Sequence, residues 1–190
     1  MGVTDQAEER WQSYDPNGEP GERVLTKPEA RSGILHGAAH VWIVRTGAHG
    51  VEVLLQRRAA DKSTWPNHLD ISAAGHVDFG ETPLAAAVRE AREEVGLELD
   101  AARLRLLFVR HARLAYGEII EDEFQWVYGC ELSRGAEFTF ADGEVAAVSW
   151  MTLGDFRKLT EGGQAEYPLV PHGDAYFANL LTELARLIDT

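Results

Sequence analysis

The chain has 190 residues, 45% hydrophobic and 26% charged, enough to bury one α/β-sized core and too few for two independent ones. Its 18 Lys and Arg stand against 31 Asp and Glu, a formal charge of −13 that repels nucleic-acid backbones and anionic membrane surfaces. A single cysteine, Cys130, closes no intramolecular disulfide and cannot build a thiolate-rich zinc centre.

Residues 1–23 are acidic and lack the apolar run of a signal peptide, and no later stretch reaches the length of a membrane span, so a cytoplasmic protein is expected. Pro16, Gly18, Pro20 and Gly21 punctuate residues 1–30, which read as an N-terminal extension of turns with a short hairpin pairing Trp11–Tyr14 with Val24–Leu25. Residues 31–190 read as a single domain. AAHVWIVR from Ala38, the turn TGAHG and VEVLLQRR at 51–58 predict a strand hairpin. DKSTWPNH is a loop, and DISAAGHV predicts one short strand. Helix 82–95 is the clearest element, with Thr82 to cap it, Pro83 in its first turn and Gly96 to stop it. Strands follow at 104–116, 121–132 and 144–153, separated by turns at Gly117, Gly135 and Gly143. A short helix is expected at 152–161. Phe177, Leu180, Leu181, Leu184 and Ile188 recur at helical spacing in a terminal amphipathic helix.

The chemistry concentrates on helix 82–95. Leu84, Ala87, Val88, Ala91 and Val95 form one apolar stripe that should pack on a sheet. Glu90, Glu93 and Glu94, at i, i+3 and i+4, point their carboxylates into one wedge beside that stripe. Arg89 and Arg92 offset only part of the repulsion, and a divalent cation would offset the rest; hard oxygen ligands favour magnesium or manganese. The string REAREEV alone is an ordinary solvated helix surface. Its setting is not ordinary: Gly75 and Glu81 precede it at fixed spacings, and Gly96-Leu97 closes it.

With those residues in hand, GHVDFGETPLAAAVREAREEVGL (75–97) resembles a complete Nudix box. The resemblance implies an α/β fold, an α/β/α sandwich around a central mixed sheet, and metal-dependent cleavage of a diphosphate linked to another moiety. It implies that Glu93 and Glu94 bind Mg2+ or Mn2+, that Glu90 binds metal or acts as base, and that the Gly75 carbonyl adds a ligand. Arg89 would orient the glutamates, with Glu81 as its salt-bridge partner. Cleaving a diphosphate asks for this set because adjacent anionic oxygens repel a nucleophilic water; cations neutralise them and acidify the water.

HGAAHVWIV, LLQRRAADKSTWP and DISAAGHVDFGET further resemble the Nudix subgroup related to type I isopentenyl-diphosphate isomerase. That resemblance makes Arg58 and Lys62 candidates for holding the diphosphate, and Glu121, Glu123, His76 and His36 candidates near a metal. Local hydrogen bonding is the favoured reading for His36. Trp65, beside Lys62 in the loop, is the aromatic residue expected to line a pocket, whereas core packing is expected for most other tryptophans. The isomerase's catalytic cysteine is missing: Ala74 precedes Gly75-His76, and Cys130, well down a strand, reads as a small core residue. His111 falls where the isomerase has its active-site tyrosine.

The expectation is a Nudix hydrolase whose partner is a small-molecule diphosphate, a nucleoside diphosphate derivative or a small prenyl diphosphate, with a homodimer as the candidate assembly and no nucleic-acid or membrane partner. Isomerase activity is the enzymatic alternative. A non-catalytic domain that binds a phosphorylated ligand is the other, although intact box glutamates argue against it. Glu94 is expected to be exposed on its helix, so that Glu94→Gln would abolish turnover and leave the fold intact.

Overall fold

A computed structural model of the chain describes residues 9–48, 50–140 and 143–188. Among these, nine strands make one mixed sheet. β1 (Arg10–Tyr14) and β2 (Pro20–Thr26) form the expected antiparallel hairpin, in register Trp11 to Leu25 and Gln12 to Val24. A four-residue helix not foreseen in the sequence, α1 (Lys27–Ala30), follows β2, and its Glu29 accepts from the Thr26 backbone N–H.

β3 (His36–Gly47) is the spine of the sheet and is buried from His36 to Val44. On one side it runs parallel to β8 (Ile119–Glu131), pairing His36–Val44 with Glu123–Glu131. On the other it pairs antiparallel with two strands in succession. Its far end meets β4 (Gly50–Arg58), and its near end meets β6 (Ala73–His76). Between them β3 and β4 part, and β5 (Leu69–Asp70) continues along β4. Ser72 sits in the crotch: its hydroxyl accepts from Ile43 N at 2.9 Å and donates to Leu54 O at 2.6 Å. The single strand expected over DISAAGHV is therefore two, because the chain passes from β4 to β3 as it runs and Ile71–Ser72 makes the crossing. β7 (Arg105–Tyr116) extends the sheet beyond β8, and β9 (Val145–Thr152) pairs with β4.

Alternation along β3 sends Ala39, Val41 and Ile43 to one face and Trp42 and Val44 to the other. α2 (Pro83–Val95) covers the first face. Thr82 Oγ1 accepts from Ala85 N at 3.2 Å, and Gly96 at φ 71 closes the helix, with Leu97 N bonded to Ala91 O and Gly96 N to Arg92 O. Ala86, Ala87 and Ala91 at the contact are fully buried, and residues this small let the helix axis approach the sheet, which brings its carboxylates down to strand level. The second face is covered by α3 (Leu153–Thr160) and α4 (Asp174–Ile188). α4 buries Tyr176, Phe177, Leu180, Leu181, Leu184 and Leu187, each large apolar side chain contributing about 1.5–3 kcal/mol. The architecture is the α/β/α sandwich around a mixed sheet that the sequence implies. Among the described residues no helix is long and apolar enough to cross a membrane.

Candidate active site

Arg89 organises the first half of the site. Its guanidinium binds both oxygens of Glu81, Nε to Oε1 at 3.2 Å and Nη2 to Oε2 at 3.0 Å. Nη1 reaches Glu90 at 2.6 Å and Glu93 at 3.1 Å, and Nη2 also donates to the His76 carbonyl at 2.8 Å. One planar cation thus ties the loop after β6, through Glu81 and the His76 carbonyl, to two helix carboxylates. Gly75 is tailored to this packing: a Cβ there would lie 2.1 Å from the Glu90 Cδ and Oε1.

Glu94 departs from expectation. It is not exposed but 3% accessible, reaching under the sheet edge so that Oε2 accepts from Ala74 N at 2.8 Å and Gln56 Nε2 at 3.2 Å. The stripe and the wedge are contiguous on α2, so the carboxylate nearest the stripe is drawn in with it. Burial, and then the neighbouring Glu90, push the Glu94 carboxyl well above the ordinary range. Burial likewise pushes Glu90 up to about 7, against the pull of Arg89. Two carboxyls with raised affinity for protons, Glu90 paired with Arg89 and Glu94 with neutral donors, form an all-oxygen donor set suited to a divalent ion.

The second half lies on the other face of the β3 row. His36, His76, Glu121 and Glu123 bring one donor atom each to within 4.8 Å of one another. His36 makes the expected local bond, Nδ1 to Ile34 O at 2.8 Å, but its Nε2 also points between Glu121 at 3.4 Å and Glu123 at 3.6 Å. His36 Nε2 and Glu121 Oε2 are buried without a hydrogen-bond partner among the described residues. His76 lies 3.5 Å from Glu123 and stacks on Trp11 of β1 at a centroid distance of 3.5 Å. Burial opposes charge on His36, yet Glu121 and Glu123 raise it to about 10. For Glu123, burial is in turn outweighed by the two histidines, which hold it well below its ordinary value. Imidazole and carboxylate donors at this spacing, with lone pairs left over, fit a divalent cation; without one, a proton on His36 is the counter-charge.

Both halves open on one cleft of about 1210 Å3, whose walls include Glu90, Glu93, Gly75, His76, Glu121, Glu123, Arg58, Lys62 and Trp65. Glu94 and His36 stand just behind those walls. Lys62 forms an ion pair with Glu144 across the mouth. Arg58 is tied down: Nη1 donates to Asp70 at 3.0 Å, and Nε and Nη2 donate to the Thr64 carbonyl at 3.1 and 3.0 Å. It holds the loop that carries Trp65, a residue at φ 49 whose ring meets Tyr116 at 4.8 Å.

Trp42 is fully buried, Trp126 and Trp150 pack on the core, and Cys130 lies in the core at 3% exposure. His111 is exposed on β7, paired with Asp122 at 2.5 Å. Sequence reasoning missed Trp11, His40, Asp70, Gln125, Glu144 and His172, all lining the cleft. For His40 and Gln125 the period-two alternation from His36 and Glu123 was the available signal. Asp70 and His172 are 102 residues apart and carried none.

The NUDIX domain profile matches residues 35–173. Nudix hydrolase 3 of Arabidopsis thaliana is 33% identical over 171 residues, 85% of this chain but 22% of that protein, so the chain spans about a fifth of the plant protein's length. An isopentenyl-diphosphate Delta-isomerase of Cutibacterium acnes is 33% identical over 145 residues, covering 73% of each chain. A Deinococcus radiodurans protein of known crystal structure superposes with a TM-score of 0.66 at 26% identity, over 92% of this chain and 98% of that one. Box geometry, sandwich architecture and the profile match agree, and the chain belongs to the NUDIX domain family of hydrolases.

Proposed function

We propose that the protein is a magnesium- or manganese-dependent hydrolase that cleaves a diphosphate linkage in a small molecule. The observation that carries the reading is the gathering of three helix carboxylates beside β6 at the wall of a cleft: Glu90 packs against Gly75, Glu94 accepts from Ala74 N, and Arg89 holds Glu90 and Glu93. Divalent ions, when bound, supply charge neutralisation of the diphosphate and acidification of water. Glu90, Glu93 and Glu94 hold those ions, with the Gly75 carbonyl as a further oxygen donor. Arg89 keeps Glu90 and Glu93 aimed, and Glu81 keeps Arg89 aimed. Lys62 swings from Glu144 to the diphosphate, Arg58 fixes the loop that presents Lys62 and Trp65, and Trp65 covers the attached moiety. Glu121, Glu123, His76 and His36 hold a second cation on the opposite wall.

That second cluster favours one other reading, an isomerase of isopentenyl diphosphate, because the isomerase resemblance implies a metal near the same four residues. Ala74 weighs against it. The methyl group beside Gly75 exchanges no proton, and Cys130 lies in the core with its thiol pushed up to about 11 by burial. Phosphorus NMR of the protein with magnesium, then manganese, against nucleoside diphosphate derivatives, nucleoside triphosphates and isopentenyl diphosphate tests the proposal. Release of monophosphate or inorganic phosphate from any of them is expected. No cleavage of any, with dimethylallyl diphosphate appearing in the proton spectrum, would replace hydrolase by isomerase; no change at all would leave a binding domain.

A further inference from the structure

The hydrolase reading leaves two buried histidines of the cleft without a task, and of these His40 is bonded through Nδ1 to the Tyr176 hydroxyl at 3.0 Å. Residues 168–172 are laced to β5, Leu69 N donating to Pro168 O at 2.8 Å and Val170 N to Leu69 O at 2.9 Å. This lacing brings His172 over the sheet, into the wall of the cleft that also holds Glu90 and His76. His172 Nε2 lies 2.8 Å from Asp70 Oδ1. Asp70 is itself immobilised by Arg58 Nη1 at 3.0 Å and Ile71 N at 2.9 Å. Asp70 is an acceptor only, so Nε2 faces it with an N–H; no acceptor lies within hydrogen-bond reach of Nδ1 among the described residues, which assigns Nδ1 as the lone-pair nitrogen of the ring. That atom is buried and has no hydrogen-bond partner among the described residues, on a side chain only 7% exposed. Buried polar atoms are almost always paired. An unpaired acceptor, oriented by an immobilised carboxylate in a cleft wall, is built for a donor that arrives from outside.

We propose that His172, positioned by Asp70, is a specificity-determining residue that accepts a hydrogen bond from an N–H or O–H of the group attached to the diphosphate. The inference rests on the reading of the cleft as a diphosphate site and narrows its substrate. Nucleosides and sugars carry such donors, whereas the isopentenyl chain carries none. His40, Gln125 and Asp70 make that end of the cleft polar, in keeping with a hydrogen-bonding occupant rather than a hydrocarbon one.

Two substitutions separate the two ring nitrogens. His172→Gln keeps an N–H for Asp70 and deletes Nδ1, while His172→Asn keeps an acceptor near Nδ1 and gives up Asp70. Calorimetric titrations with ADP, GDP, CDP, UDP, isopentenyl diphosphate and inorganic pyrophosphate, in the presence of calcium, give the readout. At least one nucleoside diphosphate is expected to bind wild type about tenfold or more tighter than pyrophosphate, and isopentenyl diphosphate no tighter than pyrophosphate. His172→Gln should erase most of that margin and leave pyrophosphate binding within about threefold, while His172→Asn recovers part of it. An unchanged margin in His172→Gln, an equal loss of pyrophosphate binding, or a comparable margin for isopentenyl diphosphate would overturn the assignment. If pyrophosphate fails to bind wild type but the nucleotide margin still depends on His172, the diphosphate reading falls and the His172 assignment stands. Binding of none of the probes would overturn both. Thermal unfolding on the same preparations identifies a misfolded Gln variant, in which case loss of the margin in His172→Phe, with His172→Asn as the rescue, decides the question.

Discussion

Gly75→Ala isolates the role of Glu90 without touching a charged residue. The new Cβ would stand 2.1 Å from the Glu90 carboxyl carbon. Restoring an ordinary contact of about 3.4 Å requires the carboxylate to retreat by about 1.3 Å, and a misplacement of about 1 Å in a catalytic array costs on the order of 10²-fold in rate. The obstacle is the end of a flexible side chain, so Glu90 yields before the backbone does. Gly75 also lacks the positive φ of the chain's left-handed glycines, so alanine is conformationally tolerated and can return about 0.4–1 kcal/mol through the unfolded state. The expected outcome is a protein with wild-type melting temperature within a few degrees, kcat reduced about 10²-fold, and weakened divalent-ion binding. Steady-state kinetics with the best substrate of the panel, a manganese titration and a melting curve on one preparation check all three. Unchanged kcat in a folded variant would refute the claim that the carboxylate must occupy the space against Gly75. A collapse in melting temperature would show instead that the glycine serves the backbone.

Three further outcomes follow from the same geometry. Glu94→Gln should abolish metal-dependent turnover, by at least about 10²-fold, while the metal-free protein melts no lower than wild type, because glutamine can still accept from Ala74 N and removes a buried carboxyl that burial makes reluctant to ionise. The Glu90 carboxyl is raised to about 7 in the fold, above its unfolded value. The folded protein therefore holds the extra proton between the two, and the contribution of Glu90 to stability is greatest at low pH and declines as pH rises towards 7. Melting of metal-free wild type across that interval should show this decline and Glu90→Gln should lack it; calorimetry in buffers of different ionisation enthalpy should detect proton release on metal binding near pH 6, and its absence would contradict the raised carboxyl. Lys62→Ala should raise KM about tenfold and change kcat by less than about threefold, a split measurable by steady-state kinetics, and an unchanged KM would remove Lys62 from the diphosphate site.

The box was legible because its logic is local. Capping at Thr82, termination at Gly96 and the i, i+3, i+4 carboxylates are all set within one helix, and the structure reproduces them to within a residue. Strand alternation likewise predicted that Glu121 and Glu123 share a face. What failed was long-range. Whether Glu94 faces solvent depends on how closely an alanine-lined helix settles on the sheet. The partition of His36 between a local carbonyl and two carboxylates depends on the parallel pairing of β3 with β8. The hairpin of residues 10–26 looked peripheral, yet it puts Trp11 against His76, a contact fixed by tertiary packing that no local pattern encodes.

The parting of β3 and β4 at Ser72 has a bearing on how this site can change over evolutionary time. In an unbroken sheet, both edges of a central strand are occupied by its neighbours. Here β6 lies against β3 alone, and the Ala74 N–H is left to point at Glu94. Part of the site is therefore main chain, and no substitution at position 74 short of proline can delete that donor. It can be lost only by slipping the register of β6, and a slip of one residue would turn Ala73, Gly75 and His76 to the wrong faces together. The residues around the cleft can drift toward new ligands while the anchor beneath Glu94 stays outside the reach of every point mutation at position 74 but proline.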